Sequence, residues 1–227
     1  MAITSAEHLT RQLDLIPMAA LKYPVTVIGC GAIGSFATLA LAKMGVENIT
    51  VYDFDEVSIE NMNNQFFRFK DIGSNKATAL AALVEDFTGV KINAIPSKYE
   101  TGDLEGIVVV AVDSMDVRAQ IFEQVITQPN VRWLVDPRMS AEMYAQYVCR
   151  TQVEISKKFY EGYLYPDSEA IAERCTAKST IYTATLAAGY VAKTVKDIIT
   201  KGSVQSMVAW DIKNSTHMAK SVHLGAS

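Results

Sequence analysis

Cysteine is scarce in this chain. Its 227 residues carry three, Cys30, Cys149 and Cys175, an odd number, widely spaced and without a C-x-x-C pair. That usage gives no zinc-site spacing, so no zinc is expected, and it fits a reducing compartment. No apolar run approaches the ~20 residues that span a bilayer. No basic stretch leading into an apolar core stands at the start. The expected protein is therefore cytoplasmic with no membrane partner. A surplus of positive charge is missing as well: 21 Lys and Arg against 25 Asp and Glu leave a net charge of −4, which argues against a nucleic-acid-binding surface. There is no repeat, no low-complexity tract and no linker rich in Gly, Pro or Ser. What is present, 49% hydrophobic and 20% charged residues, suits one globular domain with a sizeable core.

The order of elements predicts an α/β fold. Thr4 to Glu7 has the form of a capping box opening a short amphipathic helix through Leu15. Apolar runs predict strands at Val25 to Ile28, Ile49 to Tyr52, Val90 to Ile95, Ile107 to Val112 and Val131 to Val135. Between them, helices are predicted at Ala32 to Met44, stopped by Gly45, at Asn75 to Asp86, ended by Gly89, and at Met115 to Ile126. This alternation implies a Rossmann-like, doubly wound, mainly parallel sheet. Beyond Asp136 the pattern changes. Met143 to Arg150 and Gln152 to Lys158 alternate like antiparallel strands, and Glu161 to Ala177 is a polar loop. Thr180 to Ile199 is a long helix, and Val204 to Ile212 with Thr216 to His223 a closing hairpin. The reading is one domain over 1–227, with an N-terminal helical arm at 1–24, a nucleotide-binding half at 25–136 and a second half at 137–227 for partner binding and dimerisation.

The chemistry centres on Val25 to Lys76. Gly29, Gly31 and Gly34 stand in G-x-G-x-x-G spacing directly after a β-branched run. Gly29 permits a tight turn, Gly31 leaves room for a phosphate, and Gly34 lets the next helix pack on the strand. The helix start at Ala32 and Ile33 offers N–H groups and partial positive charge to an anion. Asp53 follows 19 positions after Gly34, where a carboxylate can accept hydrogen bonds from ribose hydroxyls. A dehydrogenase would add a substrate domain, for which little chain remains. Here Asp53 is followed by Asp55, Asn61, Asn63, Asn64, Gln65, Arg68 and Lys76, groups able to stabilise a polyphosphate under displacement. The same stretch also reads as a solvated, Asn-rich loop.

These motifs resemble the ThiF/MoeB family, the bacterial relatives of the ubiquitin-activating enzymes, over nearly the whole chain. Thr10-Arg11-Gln12 resembles the family's N-terminal R-Q element, and Gly29 to Gly34 its glycine loop. Val51 to Val57 resembles its D-x-D-x-V segment, Asn61 to Gln65 its N-x-x-R-Q, and Gly73 to Lys76 its G-x-x-K. Val109 to Arg118 is similar to the segment with the metal-binding aspartate, and Glu173 to Thr176 to the thiol segment before the long helix.

The resemblance implies ATP-dependent adenylation of a carboxylate, usually the C-terminal glycine of a ubiquitin-like or sulfur-carrier protein, here a separate chain. It implies that Asp53 holds the ribose, Asp113 the Mg2+, and that Lys76 and Arg11 neutralise phosphate while Asn61 and Gln65 orient it. Arg11 would reach the partner's site in a homodimer, and Cys175 would take the activated acyl group or pass on sulfur. Each position also has a plainer role. Asp113 can cap a helix, Lys76 can be a solvated charge, Arg11 a surface pair, and Cys175 an inert thiol. Cys30 and Cys149 read as packing residues. The chain departs from the family at Asn64, where the pattern has Arg. Arg68, four residues on, could reach back if that segment is helical. Without that cation a nucleotide-binding member with weakened catalysis stays open, and an NAD-dependent oxidoreductase is the third class.

Overall fold

A computed structural model of the chain describes residues 7–169 and 179–222. Its centre is a single eight-stranded sheet. In chain order the strands are β1 (Val25–Ile28), β2 (Ile49–Tyr52), β3 (Asn93–Ile95), β4 (Gly106–Val110), β5 (Val131–Ser140), β6 (Met143–Arg150), β7 (Met207–Asp211) and β8 (Thr216–Lys220). Their spatial order is β3-β2-β1-β4-β5-β6-β7-β8. The first five pair in parallel, and β6, β7 and β8 continue the sheet antiparallel. The α/β fold with a parallel half and an antiparallel half is the one the sequence predicts.

Strands β1 and β4 are buried throughout, as expected of parallel strands covered on both faces. One face, with Val27, Val51 and Val109, packs on helices α1 (Ala32–Met44), α2 (Lys76–Thr88) and α5 (Ile181–Ile199). The other, with Val108, Val110 and Leu134, packs on α3 (Met115–Val125) and α4 (Glu154–Glu161) through Ile121, Phe122 and Tyr160. The strand order turns outward in opposite directions from β1 and β4. In open α/β sheets the crevice above that point, at the carboxyl ends of the strands, is where ligands bind.

The structure differs from the sequence reading in two places. Gln152 to Lys158 is not a strand; Glu154–Glu161 is helix α4. Its apolar alternation is local, and the residues it buries are Ser156 and Tyr160, four apart on one helical face, while Ile155 stays exposed. The N-terminal helix is a 3-10 turn at Glu7–Gln12, followed by a second at Met18–Lys22; the capping box at Thr4 lies outside the described residues. These short turns are held by tertiary packing, with Leu9, Ile16 and Leu21 buried against the rest of the core. Smaller shifts include β5, which runs on to Ser140 because it pairs with β6 from Trp133↔Arg150 to Ser140↔Met143.

Candidate nucleotide site

The glycine turn joins β1 to α1 beneath the carboxyl end of β4. Gly29 has φ of +97°, and a Cβ there would lie 2.6 Å from the Ala111 carbonyl oxygen. A Cβ on Gly34 would lie 1.9 Å from the Gly29 carbonyl oxygen. Both glycines are therefore required for the close approach of turn, helix and neighbouring strand. Gly31 is different: a Cβ there meets nothing within 4 Å. Gly31 is also the N-cap of α1 and gives it no side-chain cap. The Ala32–Ile33 end of α1 thus faces open space with its backbone donors, a seat for an anion.

Asp53 stands just past β2, almost wholly buried. One carboxylate oxygen accepts from the Cys30 N–H at 2.6 Å and the other from the Asp55 N–H at 2.8 Å. Each oxygen keeps a second lone pair for a ligand hydroxyl. Burial pushes the carboxyl above its usual range, against those two N–H groups and Lys76, which act to lower it. The Cys30 thiol is pushed well up by burial and then by Asp53, so it is a packing group of the turn.

Lys76 opens α2. Its backbone N–H donates to the Asp55 carbonyl at 2.8 Å and its Nζ sits 3.1 Å from the Asp55 carboxylate. Asn75 caps the helix and donates to the carbonyls of Asp53 and Asp55. Lys76 is buried and is linked to the glycine turn through Asp55, whose N–H donates to Asp53, which in turn accepts from the Cys30 N–H. Asp113 is exposed in the loop that leaves β4. The preceding residues Ala111 and Val112 lie directly against Gly29. Asp113 does not cap α3; Ser114 does, through the Val117 N–H at 3.2 Å, and Asp167 adds a carboxylate on the Met115 N–H at 2.6 Å.

The segment between Asp53 and Lys76 folds back over α1. The Phe66 N–H donates to Ser35 Oγ at 3.0 Å, and the Phe66 ring packs between Phe36 and Phe87. This brings the segment, with Gln65 next to Phe66, against the first turn of α1. The side-chain oxygens of both amides are buried with no partner among the described residues, while Asn64 Nδ2 contacts Ser179 Oγ. Asn61 has its Oδ1 taken by the Ser58 N–H at 2.9 Å.

Arg68 does not reach back from a helix. Its backbone is extended, its side chain forks onto Asp71 at 2.9 Å and extends to Asp86 at 2.9 Å. Local capping of a 3-10 turn by Asp71 holds it there. Arg11 is exposed on its 3-10 turn. Cys175 lies outside the described residues.

Sequence reasoning missed a buried ionic cluster in the middle of β5, just past its last parallel pair with β4. Asp136 is fully buried and accepts from Arg118, from Arg138 at 2.7 Å and from the Tyr160 hydroxyl at 2.8 Å. A charged residue closing an apolar run was the one available signal. Among the described residues no group of three or more His, Cys, Asp or Glu side chains could hold a metal ion by itself. A single carboxylate beside a phosphate seat is nonetheless how Mg2+ is commonly held, with phosphates and water completing the shell, and Asp113 fits that mode.

The ThiF family model matches residues 18–224. The chain belongs to the ThiF family. It is 37% identical over 108 residues to the NEDD8-activating enzyme E1 catalytic subunit of Dictyostelium discoideum, covering 44% of this chain and 24% of that protein. It is 31% identical over 77 residues to ubiquitin-like modifier-activating enzyme 5 of Oryza sativa subsp. japonica, covering 34% of this chain and 18% of that protein. The matched part thus spans about a quarter or less of these curated relatives. Among solved structures, PaaA superposes with a TM-score of 0.79 at 16% identity, over 98% of this chain and 75% of the other. Escherichia coli MccB with ATP gives 0.73 at 16%, over 95% and 71%. At that identity the likeness is one of fold.

Proposed function

We propose that this ThiF-family chain binds ATP at the glycine turn and adenylates the carboxylate of a small protein or peptide. The observation that carries the reading is the open, uncapped start of α1 over Gly31, flanked by Asp53 and Lys76. It has the form of a seat for a triphosphate whose ribose reaches the buried carboxylate. The similarity to E1-type activating enzymes and the ATP-bound form of MccB support the same nucleotide.

In this reading an oxygen of the acceptor carboxylate attacks the α-phosphorus. The bond from that phosphorus to the bridging oxygen breaks, pyrophosphate leaves with the electron pair, and an acyl-adenylate remains. Both reactants are anions, so the barrier falls as donors gather on the phosphates. Backbone N–H groups at Ala32 and Ile33 and the Lys76 ammonium serve the phosphates, while Asn61 and Gln65 orient them. Asp113 would hold Mg2+, which supplies charge neutralisation on the polyphosphate. Arg11 acts in the partner's site of a homodimer. Cys175, if it acts, receives the acyl group afterwards. The acceptor is a ubiquitin-like or sulfur-carrier protein, or a peptide with a free C-terminus; MccB has been crystallised with MccA.

A second reading, a nucleotide-binding member with weakened turnover, is favoured by one observation. Asn64 is an uncharged amide engaged with Ser179, and the Arg68 guanidinium is committed to Asp71 and Asp86, so Arg68 does not replace the missing cation at the phosphates. ATP–pyrophosphate exchange with candidate carriers ending in glycine separates the two. Exchange establishes the enzyme. An ATP-induced thermal shift without exchange establishes the binding protein. A shift given by NADH and not by ATP overturns both and favours the oxidoreductase.

A further inference from the structure

The backbone that leads from β4 into Asp113 is held by one buried side chain, Arg118. The carbonyl of Val112, which precedes Asp113, accepts from Arg118 Nη2; the carbonyl of Ser114, which follows it, is fixed separately by the first backbone bond of α3, from the Arg118 N–H at 3.2 Å, which any residue but proline would make there. Arg118 Nη1 also holds the Val110 carbonyl at 2.9 Å, the last residue of β4. Val112 lies past the end of the β4 ladder, so its half-buried carbonyl takes its partner from outside the sheet. The guanidinium plane is itself fixed by Asp136, which Tyr160 and Arg138 hold from the other side. Arg118 is buried, whereas Asp113 is exposed. The arrangement is a rigid inner residue aiming a solvent-facing carboxylate.

We infer that Arg118 is a positioning residue for the divalent cation of the bound nucleotide, acting through the backbone that carries Asp113. The inference rests on the reading of Asp113 as the Mg2+ carboxylate. Outer partners that orient a metal's carboxylate matter roughly ten- to hundred-fold in metal affinity. Lysine cannot replace arginine here. It keeps a positive charge beside Asp136, but one ammonium on a flexible stem cannot hold two carbonyls and a carboxylate in the plane of a fork.

The test uses the full chain with Arg118→Lys. Arg138→Lys is the control, because Arg138 holds the same Asp136 yet donates nothing to residues 110–114. Thermal shift with ATP is followed across a Mg2+ titration, beginning in chelator, and amide exchange is measured without ligand. Arg118→Lys should raise the Mg2+ midpoint by about ten-fold or more, as Asp113→Asn does, and leave the shift given by ATP in chelator unchanged. Exchange should quicken at residues 112–114 and not in α1. Arg138→Lys should lower the melting temperature without moving the Mg2+ midpoint. Equal midpoints for wild type and Arg118→Lys, or equal displacements for Arg118→Lys and Arg138→Lys, overturn this inference alone. A wild-type chain that gives no shift with ATP and Mg2+ overturns the nucleotide reading and this inference with it. Should Arg118→Lys not fold, Asp136→Asn replaces it: a displaced midpoint supports the inference and an unmoved one overturns it.

Discussion

Replacing Gly31 with alanine should remove nucleotide binding and leave the fold almost untouched. A Cβ at this position meets no protein atom within 4 Å, and the backbone, with φ of −76°, is open to alanine. Alanine is a poorer N-cap than glycine, but it also restricts the unfolded chain, a gain of about 0.4–1 kcal/mol. The two effects offset to within about 1 kcal/mol, or about 2–4 °C in melting temperature for a chain of this size. The ligand fares differently, since the new methyl group fills the space above the α1 N-terminus. ATP at 100 times its dissociation constant stabilises the native state by about 2.7 kcal/mol, or about 5–11 °C. A hundred-fold weaker complex at the same concentration gives only about 0.4 kcal/mol, near 1–2 °C. Scanning fluorimetry of wild type and Gly31→Ala, with and without ATP and Mg2+, reads both quantities. An unreduced ATP shift in the variant would refute the placement of a phosphate over Gly31. A large loss in the absence of nucleotide would refute the claim that the space is empty.

Gly34→Ala should behave in the opposite way: its Cβ would lie 1.9 Å from the Gly29 carbonyl, an overpacking that costs about 1–3 kcal/mol or more, visible in thermal melts without nucleotide. Burial pushes the Cys149 thiol up to about 12 and the Cys30 thiol well above its usual range, so iodoacetamide at pH 8 should modify neither in the native protein and both after unfolding. Mass spectrometry of the labelled chain checks this, and native labelling at Cys30 would contradict the burial argument. Bonds from Ser114 and from the Met115 N–H hold Asp167 below its ordinary carboxyl range. Its contribution is therefore present above the unfolded value of 3.8 and lost as pH falls through the lower folded value. Asp167→Asn should melt below wild type at pH 7, with the gap closing below about pH 3.8; a gap constant with pH would refute the assignment.

The parts legible in the sequence are those whose code is local. The β1–α1 turn and α1 itself follow from an apolar run, three glycines and a stop at Gly45, all adjacent in the chain. The start of α2 at Asn75 is equally local, since Asn75 caps it with its own side chain, whereas the cap of α3 falls on Ser114, one residue past the Asp113 that the sequence offered. What was hidden depends on partners far apart. Gln152 to Lys158 alternates like a strand, but its fate was decided by Tyr160 reaching Asp136 across 24 residues. Arg118 and Asp136 stand 18 apart, and neither neighbourhood names the other. Arg68 illustrates the limit of periodicity: a spacing of four suggests a shared helical face only where there is a helix, and Asp71 instead holds it on an extended backbone.

The turn, the α1 start and the buried Asp53 all come from one chain, but positive charge beside them is scarce among the described residues. Of the cations singled out in the sequence, Lys76 is paired with Asp55, Arg68 with Asp71 and Asp86, and Arg11 is exposed on the N-terminal turn. Asp53 and Asp55 together outweigh Lys76 beside the glycine turn. A triphosphate at that spot needs positive charge beyond Lys76; the α1 N-terminus supplies part of it, and on the proposed reading Mg2+ and Arg11 of a second copy would supply the rest. If Arg11 is delivered in trans, nucleotide affinity must rise with protein concentration as dimers form, since only the dimer holds the complete site. Arg11→Ala should bind ATP with the same weak affinity at every concentration. Titrations across a hundred-fold range of protein, paired with sedimentation of the same samples, test this. Affinity independent of concentration while the sedimentation coefficient changes would refute the delivery of Arg11 in trans.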